Sequence, residues 1–461
     1  MRKQLRMTAA TVMAALLTMN LTACGGGGNK TAQSTPETAK DGVQEVTFWH
    51  VLSGAQGEAF QKVIDTYNET RGKEAGIRVN PVYQGYEITD KLELAYQTKD
   101  TANAPDITWP LTSVIPTMMD MDWTVSVEKY LEKPDSEITK DTFYPSMQRA
   151  CTYNGEMVGI PVANSTMLLY YNEDALKEAG YDMAPATFDE LADYTAALTK
   201  KDESGNVSVY GLETQVKRYQ LVNFCVSQNP DCFFGDHEGG REGNMTKVTI
   251  KEDGTLKNFL EKWQKINETG GLKYILDKNK EAEEFAQGVC AMNFISSSKL
   301  STVESLVDGS FEWKVAPIPK VSESDTSGAS IGGSCLMMID RGDQDRLDAA
   351  WDVIEYFSSP EAQYIFSTGT GYIPVNVETE NLPEMKKFYE ENPRFQVALE
   401  QMKNSSPNAQ EPLDPVRNDM DTVIADTMLQ FCQGELDVDA AVDQIVNSCN
   451  DLLDEYYEAN N

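Results

Sequence analysis

Histidine is nearly absent from this 461-residue chain, which has only His50 and His237. No two of its eight cysteines form a C-x-x-C pair. A dedicated zinc or iron site needs clustered thiolate and imidazole ligands, so a metal cofactor is not expected. There is no G-x-x-x-x-G-K-[ST] loop to cradle a nucleotide's phosphates and no G-x-S-x-G turn to carry a nucleophilic serine. Basic residues are scarce, at 39 Lys and Arg against 73 Asp and Glu. A nucleic-acid binder needs a positive footprint, and none is visible. The formal net charge of −34 instead favours solubility and repulsion between copies, and so a monomer. No unit of 20–50 residues recurs, which excludes solenoids and propellers.

Long apolar runs are also missing, apart from one at the start. Arg2, Lys3 and Arg6 precede "MTAATVMAALLTMNLTA", which is short and interrupted for a spanning helix. A charged start, an apolar middle and small residues at the end make a secretory signal over 1–23. The ending Leu21-Thr22-Ala23-Cys24 resembles a bacterial lipobox, which implies that Cys24 becomes the lipidated first residue. "GGGGNKTAQSTPETAKDG" then reads as a flexible polar tether over 24–43. Without the signal, the net charge is −37. The expected location is the outer face of the cytoplasmic membrane, held by lipid on Cys24.

The other seven cysteines are odd in number and scattered, so a disulfide framework is not expected. "CVSQNPDC" leaves two possibilities, a small loop closed between Cys225 and Cys232 or two buried thiols.

Residues 44–461 suffice for two cores. "VQEVTFWHVLSG" reads as a strand and "GEAFQKVIDTYNET" as a helix, with Phe60, Val63, Ile64 and Tyr67 at helical spacing. "GIRVNPVYQGYE" is extended, and Pro81 confines it to an edge or a strand end. A helix over "ITDKLELAYQTKD" and a short strand at "APDITWP" follow. This alternation specifies an α/β sheet flanked by helices. Later, "NGEMVGIPVANSTMLLYYNEDAL" holds two extended pieces and a helix start. "ATFDELADYTAALTK" is a helix with a capping box, Thr187 and Glu190. "VCAMNFISSSKL" and "GASIGGSCLMMID" are strands, the first opening onto serines and the second starting at paired glycines. Two helices joined at "QGELDVD" close the chain.

In order and spacing, "FWHVLSG", "NAPDI", "GIPVANSTMLLYYNEDALKEAG", "CAMNFISSSKL", "IGGSCLMMI" and "TGYIPVN" resemble the carbohydrate group of extracellular solute-binding proteins of ABC importers. Within it, the glycerol-3-phosphate-binding branch is nearer than the maltose-binding branch. The resemblance implies a two-lobed α/β fold with an interlobe cleft and hinge crossings near 154–161, 305–330 and 368–374. Lobe 1 is expected to use 44–158 and 325–367, and lobe 2 159–324 and 368–461. A solute, a carbohydrate or a glycerophosphate, would be captured by cleft closure and passed unaltered to permease subunits.

The resemblance also implies ligand contacts from Tyr86, Ser165, Ser296 or Ser297, the backbone at Gly332 or Gly333, and Tyr372. These residue types suit the task. Serines offer both donor and acceptor, tyrosine an apolar face and a hydroxyl, and glycine a close approach to the backbone. Each also has a structural use, since a tyrosine after a strand packs and paired glycines make bulges. Trp49 and Trp109, at strand ends, are stacking candidates that serve the core equally well. Two departures stand out. Thr112 sits where the glycerophosphate branch has a glutamate for the glycerol hydroxyls, and Arg417 matches that branch's arginine with altered spacing. Without a firm arginine, phosphate loses its bidentate partner, which tilts the expectation toward a neutral sugar or oligosaccharide. An extracellular glycosidase is the rival reading and would require two convergent carboxylates. A surface adhesin would show no response to small molecules.

Overall fold

The computed structural model describes residues 42–275, 277 and 280–460. The signal over 1–23, Cys24 and nearly all of the tether lie outside the described residues. None of the described helices is long and apolar enough to cross a membrane.

Thirteen strands are described. They are β1 Gln44–His50, β2 Ile77–Tyr83, β3 Ile107–Thr108, β4 Thr124–Val125, β5 Thr152–Tyr153, β6 Glu156–Met157, β7 Ile160–Asn172, β8 Lys200–Lys201, β9 Val207–Thr214, β10 Leu272–Tyr274, β11 Cys290–Ser296, β12 Trp313–Pro317 and β13 Ile331–Ile339. All but the hairpin β5–β6 join one sheet, in the order β10-β9-β11-β7-β13-β3-β1-β2, with β12 also pairing β7, β4 pairing β13 and β8 pairing β9. β1 runs parallel to both β2 and β3, each crossover being made by helices. Pro81 is tolerated because β2 ends the order and has no outer neighbour to demand its missing N–H.

β7 organises the molecule. Its first half pairs with β13, from Leu336 opposite Ile160 to Ile331 opposite Thr166. Its second half, from Met167, pairs with β11 and β12 instead. One continuous 13-residue strand thus belongs to two stretches of sheet, and with β6 before it makes up the two extended pieces that the sequence suggests ahead of the helix. Side chains alternate across it as a strand requires. Leu168 and Tyr170 enter one core, whereas Met167, Leu169 and Tyr171 enter the other. The first core gathers Val46, Phe48, Phe60, Ile107, Met338 and Ile354 and continues to Phe285 and Trp313. The second gathers Leu212, Phe224, Phe259, Trp263 and Ile445 under the last two helices, Arg417–Cys432 and Val438–Asn460.

Local signals explain several helix ends. Thr187 caps the helix Phe188–Leu198 by accepting the Glu190 N–H at 3.2 Å. Glu190 returns the bond to the Ala186 N–H at 2.6 Å, one residue before the cap. Pro360 opens the helix Pro360–Thr370 directly after Gln344–Phe357, where its absent N–H costs nothing. Cys225 and Cys232 are buried free thiols, so the closed-loop possibility is not realised. Cys232 Sγ instead lies 3.4 Å from Thr255 Oγ1.

Candidate functional site

Strand ends meet around a cavity of about 190 Å³. Val51 and Leu52 follow β1, and Trp109 to Ser113 follow β3. Ala163 and Ser165 lie in the middle of β7, Ser296 ends β11, and Gly332 to Ser334 start β13. The carboxyl edge of β1 and β3 is where an open α/β sheet exposes free backbone and loops to a ligand. Tyr86 and Arg417 border this cavity and two further hollows of about 520 and 340 Å³, making one cleft. A larger hollow of about 760 Å³ lies elsewhere, between 317–329 and the helix Pro393–Lys403, and contains none of the candidate residues.

Of the eleven candidates, Tyr86, Trp109, Thr112, Ser165, Ser296, Gly332, Gly333, Tyr372 and Arg417 line the cavity together. Trp49 and Ser297 do not. Trp49 is buried in the core. Ser297 is fully buried, and its hydroxyl accepts the Thr166 N–H at 3.2 Å, bracing β7. The serine next to it, Ser298, faces the cavity in its place.

Three hydroxyls form a chain. Ser296 Oγ lies 3.1 Å from Ser165 Oγ and 3.0 Å from Ser298 Oγ. Such a chain can turn its protons to suit a ligand donor or acceptor. Thr112 donates to the Gly333 carbonyl at 3.3 Å, which ties the β3 loop to β13. Gly333 is required here because a Cβ would stand 2.6 Å from Asn164 Nδ2 and 3.0 Å from the Ala163 carbonyl. Ala163 itself is left-handed, with φ 50°, a strained setting for alanine at the point where β7 passes the cavity.

The aromatic residues differ in exposure. Tyr86 is 72% exposed at the cleft mouth. Tyr372 stacks on Phe366 with ring centroids 5.8 Å apart, and burial raises its hydroxyl pKa. Trp109 is fully buried, edge-on to Phe60 and Phe357, so it serves both core and cavity. Among the described residues, its indole N–H has no hydrogen-bond partner, nor does the Ser113 hydroxyl. Buried polar atoms lacking partners are uncommon and call for an explanation.

Sequence reasoning missed Tyr219, Ser298 and above all Glu411. Glu411 sits in an irregular segment that also carries Asp414 and leads into the helix that Arg417 begins. Arg218, fully buried, donates to Glu411 Oε2 and the Pro412 carbonyl at 2.9 and 2.8 Å and pairs with Asp414. Burial opposes the Arg218 cation, but the Asp414 and Glu411 carboxylates outweigh it and its pKa rises. Burial also raises the Asp414 pKa, with Arg218 acting against the rise. Arg417 begins the helix Arg417–Cys432 and pairs with Asp421 at 3.9 Å, while also attracting the Asp414 carboxylate. The cavity thus has a guanidinium available at one side and a clamped carboxylate at another. Among the described residues, no cluster of three or more His, Cys, Asp or Glu side chains could hold a metal ion.

A two-lobed binding protein is the class that this architecture defines. Solved structures of similar fold include the sugar-binding protein MalE of Xanthomonas citri, with a TM-score of 0.74, 18% identity and coverage of 90% of this chain and 99% of that one. UgpB of Mycobacterium tuberculosis in complex with glycerophosphocholine matches with a TM-score of 0.69 and 19% identity, over 90% of this chain and 100% of that one. The chain belongs to the family described as bacterial extracellular solute-binding protein, whose profile matches residues 62–396. Among its relatives, the sn-glycerol-3-phosphate-binding periplasmic protein UgpB of Yersinia pseudotuberculosis is 25% identical over 425 residues, 91% of this chain and 94% of the relative. That of Pectobacterium atrosepticum is 25% identical over 369 residues, 79% and 80% respectively.

Proposed function

We propose that the chain is the solute-capturing component of an ABC importer and that its solute is a small glycerophosphate-type molecule. Arg417 carries this reading. A guanidinium held only by a long 3.9 Å pair with Asp421, bordering every part of the cleft, is suited to a phosphate. Its presence there removes the reason for preferring a neutral sugar. The relatives named for glycerol-3-phosphate binding support the same class.

A carbohydrate is the second reading, favoured by the aromatic lining of Tyr86, Trp109, Tyr219 and Tyr372 and by the hydroxyl chain of Ser165, Ser296 and Ser298. Either solute suits capture without chemistry.

The lobes are taken as 44–158 with 325–367 and 159–324 with 368–461, closing about β7 and handing the solute to permease subunits. Lipid on Cys24 would hold this monomer at the outer membrane face, within reach of them. A solute touching both lobes favours the closed form by its differential contacts. Isothermal titration with glycerol 3-phosphate, glycerophosphocholine, maltose and maltotriose tests the proposal. Binding of a phosphate compound that Arg417→Ala weakens about 10-fold or more supports the first reading. Sugar binding indifferent to that change supports the second. Turnover of the bound solute refutes both.

A further inference from the structure

The two carboxylate oxygens of Glu411 have different fates. Oε2 accepts from Arg218 Nη1 at 2.9 Å. Oε1 has no hydrogen-bond partner among the described residues and borders the cavity beside Gly332. A Cβ on Gly332 would stand 2.6 Å from it, so the missing side chain is what leaves this oxygen reachable. We propose that Glu411 is the specificity-determining residue of the cavity, with Oε1 accepting hydrogen bonds from a vicinal diol of the solute. The inference rests on the binding-protein reading above and adds the part of the solute that is read.

Three features support it. First, an ionised carboxylate only accepts, so it selects hydroxyl donors and repels a phosphate placed at the same point. Second, its geometry is fixed. Arg218 is fully buried, holds the neighbouring Pro412 carbonyl at 2.8 Å and pairs with Asp414, so Glu411 cannot swing away without breaking a buried network. Third, Glu411 and Arg417 stand at opposite ends of one seven-residue stretch of opposite charge, and both line the cavity. A solute with a diol at one end and an anion at the other is therefore oriented, diol to Glu411 and anion to Arg417. A sugar ring and a glycerol moiety share the diol, and the test separates them.

The full chain, Glu411→Gln and Gly332→Ala are titrated calorimetrically in two arms. One arm compares glycerophosphocholine with its analogue lacking one glycerol hydroxyl. The other compares maltose with a monodeoxymaltose. In the arm of the true solute class, Glu411→Gln is expected to weaken the diol compound about 10- to 100-fold and the deoxy analogue less than about threefold. Gly332→Ala, whose Cβ would stand 2.6 Å from Oε1 and so block or displace it, is expected to show the same selective loss. Equal loss for diol and deoxy compounds, as a merely structural role would give, overturns the proposal. So does unchanged diol affinity in both variants, and that result leaves the binding-protein reading standing. If the unaltered chain binds neither the phosphate nor the sugar compounds, the binding-protein reading falls and takes this one with it.

Discussion

Replacing Arg218 by methionine should be among the most damaging single changes in the molecule. The substitution keeps the apolar stem and deletes the charge. Asp414, fully buried, then loses its paired cation and keeps only the longer-range attraction of Arg417, and Glu411 loses its clamp. Removing one partner of a buried ion pair costs about 3–5 kcal/mol. Protonation offers Asp414 an escape and limits its share. Neutralising a carboxylate of ordinary pKa ~3.9 costs about 4 kcal/mol at pH 7 and about 1.5 kcal/mol at pH 5. In the variant, the folded state holds a proton that the unfolded chain has released, so its relative stability falls as pH rises above ~4. Urea denaturation followed by tryptophan fluorescence should give a loss of about 3–5 kcal/mol at pH 7 and a clearly smaller one at pH 5. A typical total of 5–15 kcal/mol makes the pH 7 value close to disabling. Adding Asp414→Leu should restore much of the loss. A deficit below about 1 kcal/mol, or one equal at the two pH values, would show that Arg218 does not hold a buried charge pair there.

Four other outcomes are expected. Burial holds the His50 imidazole at about 4, below its ordinary 6.5, so the unfolded chain protonates first as pH falls. Stability contributed by neutral His50 is lost between about pH 6.5 and 4, by about 3 kcal/mol at most, and His50→Gln should flatten that part of the denaturation profile; a profile parallel to the parent's contradicts this. Gly211→Ala puts a Cβ 2.0 Å from the Thr195 carbonyl, a backbone atom, and should cost about 1–3 kcal/mol in urea. A solute at 100 times its Kd should add about 2.7 kcal/mol of stability, seen as a thermal shift, and no shift with any phosphate or sugar compound counts against capture. Cys24→Ala should release the protein into the medium, and unchanged retention in the membrane fraction defeats the lipid anchor.

Much of the architecture was readable wherever the periodicity was clean. The amphipathic helix Gly54–Glu69, the edge position of Pro81 and the cap at Thr187 follow directly from local pattern. β7 was harder. It is buried on both faces almost throughout, so the alternation that marks a strand is absent from its sequence. The helix Thr255–Glu268 went unread although Leu256, Phe259, Leu260, Trp263 and Ile266 fall on its buried side, a signal that was available. For the cavity, short motifs around Tyr86, Ser165, Ser296, Gly332 and Tyr372 sufficed to pick residues that the fold gathers in one place. Glu411 gave no such cue. It lies outside any helix or strand, and its orientation is set by Arg218, 193 residues earlier. Prolines at 412 and 415 were the one hint that this irregular stretch is held in shape.

Because β7 pairs with β13 along its first half and with β11 and β12 along its second, a cut between the halves severs the first from a partner that lies later in the chain. Splitting the gene at residue 166 would put the first half of β7 on one product and β13, its partner, on the other, while β11 and β12 stay with the second half. The halves of such a molecule cannot be exchanged between homologues by simple recombination at this point. Lineages of the family would therefore diversify their ligands by altering the loops at the strand ends, while passing the central ribbon on undivided.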